Sequence, residues 1–264
     1  MTDAPATMTQ PQTARRVPVL GVWIDALTMP EVVERAHRAI DEGRRLAISV
    51  VNVAKLVNLR KDPLLRESVE AGDLILADGA PVVWLSRLKR KPLPERVAGI
   101  DLMFELFAMA GQRHLRVFLL GAKAEVLATV QRLALERYPG LTIAGTQDGY
   151  FEEAEEQRVA ELVRDSQAHI LFVAMSSPKK ERFMKKWSDT MNAVVTHGVG
   201  GSFDVMAGVT KRAPRWMQRC GLEWFYRVCQ EPRRMWKRYL VTNTLFLALA
   251  LKDCIVSERP ARSA

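Results

Sequence analysis

Cysteine is scarce: Cys220, Cys229 and Cys254 are the only three in 264 residues. They form no CxxC pair and share no metal-ligand spacing with His37, His114, His169 or His197. A sparse, odd count argues against a disulfide framework and for a reducing compartment. Long apolar runs are missing too. The most apolar stretch, Leu240 to Leu251, contains Thr242, Asn243 and Thr244 and falls well short of the ~20 residues of a membrane span. Met1 to Arg16 is polar and rich in Thr, Gln and Pro. It has no apolar segment of the signal-peptide kind, so residues 1–16 are expected to be a disordered leader. No GxxxxGK[ST] loop and no GxGxxG fingerprint occur, which leaves neither a P-loop nor a convincing dinucleotide site. There is no Asp-x-Asp pair to bind a nucleotide-sugar's metal.

What is present is core and positive charge. With 48% hydrophobic residues the chain can build one large domain or two small ones. Its net charge is +9, which points to an anionic partner. Between Lys211 and Arg238 nine Lys or Arg stand against two Glu, so +7 of that charge lies in one segment. Aromatic residues are interleaved there. Such a segment suits a membrane face or a nucleic acid. The bland alternative is that Leu222, Phe225 and Tyr226 pack on the core while the arginines face water. Like charges at this density repel unless an anion is near.

Short apolar runs alternate with longer helical ones. Strands are expected at 17–24, 46–51, 74–77, 115–120, 141–145, 169–175 and 193–197. Helices are expected between them, with breaks near Pro63 and at Pro139-Gly140. Thr28 to Glu31 reads as a capping box. Asp101 is expected to cap one helix. Ser177 is expected to cap another, with Pro178 as its first residue. This rhythm predicts an α/β fold with a parallel sheet between helices. Ligands of such folds bind beyond the carboxyl ends of the strands. After Ala207 the rhythm stops, and two or three helices follow. The expected division is a core over 17–210 and a basic aromatic appendage over 211–264.

Several residues fall at expected strand ends. Asp78-Gly79 is on spacing alone a common turn, but a carboxylate there can take a proton from an attacking hydroxyl. Glu95 and Arg96 are solvated loop charges in the bland reading; in the functional one Arg96 is a fork for phosphate. Gly198-Val-Gly-Gly201 is either a tight turn or a generic phosphate cradle. Asp204 either caps a helix or meets a sugar hydroxyl. Lys179 and Lys180 open a helix and can reach an anionic ligand. No histidine is assigned to catalysis.

Several segments, in order, resemble the WecG/TagA/CpsF glycosyltransferases. They are Asn52 after the second expected strand, AGDLILADG (71–79), ERVAGIDL (95–102), VFLLG (117–121), DGYF (148–151), SPKKE (177–181), GVGGSFDVMAG (198–208), RAPRWMQRCGLEW (212–224) and YRVCQEPRRMWKRY (226–239). The resemblance runs from about residue 17 to about residue 239. It implies a Rossmann-like parallel sheet with helices on both faces. It also implies an inverting, metal-independent transfer of sugar from a UDP-linked donor to a polyprenyl-diphosphate-linked sugar. The setting would be cell-surface or exopolysaccharide synthesis, at the cytoplasmic membrane face. By position Asp78 resembles the general base. Asn52, Arg96 and Asp204 resemble donor-pocket residues, with Lys180, Gly200 and Gly201 beside them. Arg227, Arg234 and Arg238 resemble the appendage arginines that meet phosphates. No cofactor is implied. The implied partners are the donor, the lipid-linked acceptor and an anionic membrane surface, with a homo-oligomer compatible and no nucleic acid expected. Val50 stands where the family often has Thr, Ser176 where Gly is common, and Lys180 where Gln is usual. These positions lie near the donor, so glucose, N-acetylmannosamine and its uronic acid all stay open as donor sugars. A non-catalytic scaffold of a polysaccharide assembly complex and a basic nucleic-acid-binding module are the competing classes.

Overall fold

A computed structural model describes residues 15–257, without the side chains of Arg234, Arg238 and residues 254–257. The leader expected over 1–16 lies outside the described residues except at its last two positions, and there the structure corrects it. Arg16 opens strand β1 (Arg16–Val19) and its guanidinium pairs with buried Asp25 at 3.0 Å. The single first strand expected over 17–24 is instead a hairpin, β1 with β2 (Val22–Asp25), paired antiparallel and separate from the main sheet. Leu20 and Gly21 both take positive φ, 51° and 80°, which is the two-residue turn that matches strand twist. Periodicity does not register such a turn inside an apolar run.

The helices and strands that follow are α1 (Met29–Asp41), β3 (Leu46–Val51), α2 (Val53–Asn58), α3 (Pro63–Glu70), β4 (Leu74–Ala77), α4 (Ala80–Leu88), α5 (Gly99–Gln112), β5 (Arg116–Gly121) and α6 (Ala124–Arg137). Then come β6 (Thr142–Gln147), α7 (Glu156–Asp165), β7 (Ile170–Ala174), α8 (Lys179–Lys186), α9 (Ser188–Met191), β8 (Val195–Gly198) and α10 (Ser202–Met206). The capping box at Thr28 and Glu31 is present. Two cap assignments are corrected. Ala98, not Asp101, caps α5, and Pro178 rather than Ser177 stands at the cap of α8.

Six strands form one parallel sheet in the order β4-β3-β8-β7-β5-β6. Alternation along each strand sends side chains to opposite faces. In β5, Val117 and Leu119 face the helices carrying Leu102, Phe107 and Val130, while Phe118 and Leu120 face those carrying Val159 and Phe183. Both faces are therefore covered, as a parallel sheet requires. All carboxyl ends share one edge.

Helices α11 (Arg215–Arg219), α12 (Glu223–Gln230) and α13 (Pro232–Ser257) complete the fold. They are not detached from the core. Phe246 of α13 is buried in one cluster with Leu56, Val57, Val83 and Ile75, and Asp253 pairs with Lys89 at 2.7 Å. No helix among the described residues is long and apolar enough to cross a membrane.

Candidate active site

Asp78 follows the last residue of β4, and its carboxylate Oδ1 accepts the Gly99 N–H at 3.3 Å. Burial pushes its pKa up, and the Arg96 guanidinium works against that rise. Arg96 is held in turn by an ion pair to Glu223 of α12, and it lies 3.9 Å from Asp101. Asp101 receives Arg212 through two parallel hydrogen bonds of 2.6 and 2.8 Å. Arg212 Nε is also 3.8 Å from Glu223. These four side chains lock the loop before α5 to the segment around α11 and α12. The same ion pairs bring α12 close to Asp78, where Glu223 adds to the rise in its pKa and exposed Arg227 opposes it.

The far side of the site is the turn from β8 into α10. Gly200 has φ +55°. The stem of Lys180 lies against Gly198, where a Cβ would sit 2.9 Å from Lys180 Cδ. The Lys180 ammonium is 3.6 Å from the position of a Gly200 Cβ. Lys180 is buried, and burial with the Lys55 charge pushes its pKa down to about 8. Buried Lys55 donates to the Val50 carbonyl at 2.7 Å and pairs with Glu181 at 2.8 Å. Burial would raise Glu181, but Lys55 and Lys180 outweigh it and hold the carboxylate well below its usual range.

Asn52 is exposed at the end of β3, and its side chain accepts the Lys55 N–H at 3.0 Å as the cap of α2. It adjoins Gly79 directly, since a Cβ there would be 3.6 Å from Asn52 Cα. Asp204 is half-buried on α10, with its carboxylate 3.8 Å from the position of a Gly201 Cβ. Asn52, Asp78, Arg96, Lys180, Gly200, Gly201 and Asp204 thus share the carboxyl edge of β3, β4 and β8. Arg234 and Arg238 belong to α13, but their side chains lie outside the described residues.

Sequence reasoning missed Lys55, Glu181, His197, Arg212 and Glu223. His197 is completely buried, and burial pushes its pKa down to about 4, so it is neutral at pH 7. Its Nε2 is 3.0 Å from the Gly99 carbonyl, to which it donates as neutral imidazole. Gly99 is therefore held at its carbonyl by His197 while its N–H holds Asp78. An apolar strand with a histidine at its end carries no sign of this. Among the described residues no three His, Cys, Asp or Glu side chains come together to hold a metal.

A desolvated carboxylate faced by cations, at the carboxyl edge of a Rossmann-like sheet, is the working arrangement of an enzyme. Proton transfer and an anionic leaving group are the tasks it suits. The description "Glycosyl transferase WecG/TagA/CpsF family" matches residues 17–260, and the chain belongs to that family and is a glycosyltransferase. It is similar to an N-acetylglucosaminyldiphosphoundecaprenol N-acetyl-beta-D-mannosaminyltransferase of Bacillus subtilis (strain 168), with 38% identity over 201 residues, 76% of this chain and 77% of the relative. A protein of the same description from Bacillus spizizenii is 38% identical over 222 residues, 84% of both chains. The scaffold and nucleic-acid readings give way to this.

Proposed function

We propose that this enzyme moves a sugar from a UDP-sugar to a polyprenyl-diphosphate-linked sugar, by a single inverting displacement that needs no metal. Asp78 takes the proton of the acceptor hydroxyl. The freed oxygen attacks the anomeric carbon as its bond to the diphosphate breaks, and UDP leaves with the negative charge. Arg96, Lys180 and the N–H groups of the Gly200-Gly201 turn offset that charge. Asn52 and Asp204 orient the donor. Arg227, Arg234 and Arg238 meet phosphates from the appendage side. The observation that carries this reading is Asp78 itself: a carboxylate with its pKa raised by burial, fixed by Gly99, with Arg96 facing it.

The names of the relatives favour an N-acetylmannosaminyl donor and an N-acetylglucosaminyl-diphospholipid acceptor. The setting is the cytoplasmic face of the plasma membrane, with the 211–264 segment docked on anionic lipid and the product destined for a cell-surface polymer. Purified protein, a synthetic lipid-diphosphate-sugar and a panel of UDP-sugars test this by mass spectrometry, with the anomeric configuration read by NMR. Transfer from none of the donors would overturn it.

Activity is expected to persist in excess chelator, because cations and N–H groups meet the diphosphate. Loss on chelation, restored by Mg²⁺ or Mn²⁺, would show a metal at work.

Lys180 sets a pH dependence. It is a cation below about pH 8 and neutral above, so donor binding weakens as pH rises through that value. A charge-assisted hydrogen bond of ~1.5–3 kcal/mol corresponds to roughly tenfold or more in affinity. Donor KM is expected to rise between pH 7 and 9 in the wild type. In Lys180→Gln it should be flatter, with altered kcat/KM ratios across the donor panel. Identical pH profiles and ratios in the two proteins would remove Lys180 from donor binding.

A further inference from the structure

Helix α5 starts without a side-chain cap, since Ala98 has none to offer. The first N–H groups of a helix have no partner inside it, and the Gly99 N–H takes the Asp78 carboxylate instead. Asp78 is thus held by the first residue of α5. At 3.3 Å that hydrogen bond is already long, so a small retreat of Gly99 breaks it.

Gly99 is kept in place from several sides. Val97, just before it, donates its N–H to the Ala77 carbonyl at 2.9 Å. Val50 packs on it from β3, where a Gly99 Cβ would be 3.4 Å from Val50 Cγ2. His197 meets it from β8, with Nε2 3.0 Å from its carbonyl. The last contact is costly, because His197 is completely buried. It stands in register with Phe172 of β7 and Ile48 of β3, and its ring meets Phe172 edge-on at 6.3 Å between centroids. An imidazole in such apolar surroundings loses its hydration, and a hydrogen bond must replace it. Leucine would fill the space without that loss. Burial, with Lys180 and Lys55 nearby, keeps the ring neutral. It then has one N–H to give, and the Gly99 carbonyl, which only accepts, receives it.

We propose that His197 is a positioning residue for Asp78: by holding the Gly99 carbonyl it fixes the Gly99 N–H, and with it the Asp78 carboxylate, where the acceptor hydroxyl arrives. Completely buried, His197 itself touches no substrate. The inference rests on the base role of Asp78 given under the proposed function. Without the imidazole donor Gly99 drifts, and the carboxylate loses the N–H that favours its charged form. Asp78 then protonates at a higher pH. The other charges that act on Asp78 are Arg96, Glu223, Arg227, Lys180 and Arg212, and the test replaces none of them.

Wild type, His197→Gln and His197→Leu are compared in the full chain, after thermal melts show that they fold. Glutamine places an amide N–H where Nε2 stood; leucine has no donor. NMR follows the Asp78 titration at its carbon-13-labelled carboxyl, identified by its loss in Asp78→Asn. Steady-state kinetics gives kcat and donor KM over the same pH range, and calorimetry gives UDP affinity. In His197→Leu kcat is expected to fall about 10–100-fold, the scale of a displaced catalytic group. Its Asp78 titration, and the acid limb of its rate, should move up by about one pH unit, the worth of one lost charge-assisted hydrogen bond. Donor KM and UDP affinity should not change. His197→Gln should keep both the rate and the limb. In an Asp78→Asn background His197→Leu should cause no further loss. Should His197→Leu not fold, His197→Asn replaces it, because its amide stops one methylene short of Gly99. An Asp78 titration that the donor-less variant leaves unmoved overturns the proposal. So does an equal upward shift in His197→Gln, which would mean packing alone. A further loss of rate in the Asp78→Asn background overturns it too. If Asp78→Asn itself turns over at a near-normal rate while His197→Leu still raises the carboxyl titration, the positioning stands and the base role alone falls.

Discussion

Asp78→Asn is expected to lower turnover about 10²–10⁴-fold, the usual worth of a positioned general base. The amide keeps the carboxylate's shape, and its oxygen can still accept the Gly99 N–H that now fixes Asp78. What it loses is the ability to take a proton. UDP affinity should therefore be nearly unchanged, which calorimetry checks beside the steady-state rate. The pH dependence follows from burial. Because desolvation raises Asp78 above the ordinary carboxylate range, the base is lost by protonation at a higher pH than a solvated aspartate would be. The wild-type rate should fall on the acid side along a limb displaced upward from ~3.9. In Asp78→Asn that limb should vanish. Near-normal turnover in the variant would remove Asp78 from the mechanism.

Removal of the chain from Cys220 onward is expected to abolish transfer, for two separable reasons. One is catalytic: the truncated protein lacks Glu223, which holds Arg96, and lacks Arg227. The other is structural. Met235, Thr242 and Phe246 are buried, and Phe246 shares a core with Leu56 and Val57 of α2. Truncation exposes that core, so the remaining protein is expected to melt early and to aggregate. Point variants divide the two effects. Phe246→Ala should cost about 3–5 kcal/mol of stability, as for a buried phenylalanine emptied to alanine, read as a fall in Tm. Arg227 is exposed, so Arg227→Ala should leave Tm unchanged while it cuts transfer more than vesicle binding. In the proposed function docking is shared among many cations, whereas a single phosphate contact would not be. Vesicles with anionic lipid at two salt concentrations complete the measurement, since surface attraction is screened. A truncated protein that transfers sugar at the wild-type rate would sink the role given to these helices.

Much of this was legible in the chain, for local reasons. Leu46–Val51 and Leu74–Ala77 are strands as expected, because a buried parallel strand is a continuous apolar run. Where such a run stops, the next residues must stand at the sheet's edge. That is why Asn52, Asp78 and the Gly198–Gly201 turn could be placed at one edge from the sequence alone. The family motifs then connected those positions to sugar transfer, and the excess of Arg and Lys over 211–238 marked where positive charge is concentrated.

Other features depend on contacts between distant parts of the chain, which no local pattern encodes. The strand order β4-β3-β8-β7-β5-β6 puts β7 beside β8, and only then does Lys180, which follows β7, lie over the Gly200 turn that follows β8. Arg212 meets Asp101 across 111 residues, and His197 reaches Gly99 across 98. Nothing in the spacing of Lys55 and Glu181 shows that they share a buried ion pair. The hairpin at 16–25 was hidden because two positive-φ residues interrupt an apolar run without altering its hydrophobicity. The sequence by itself determined most of the elements, the edge at which the candidate site lies and the family. The tertiary structure decided which charges are neutralised, which stay unpaired and which pKa values move, because desolvation and ion pairing depend on through-space neighbours.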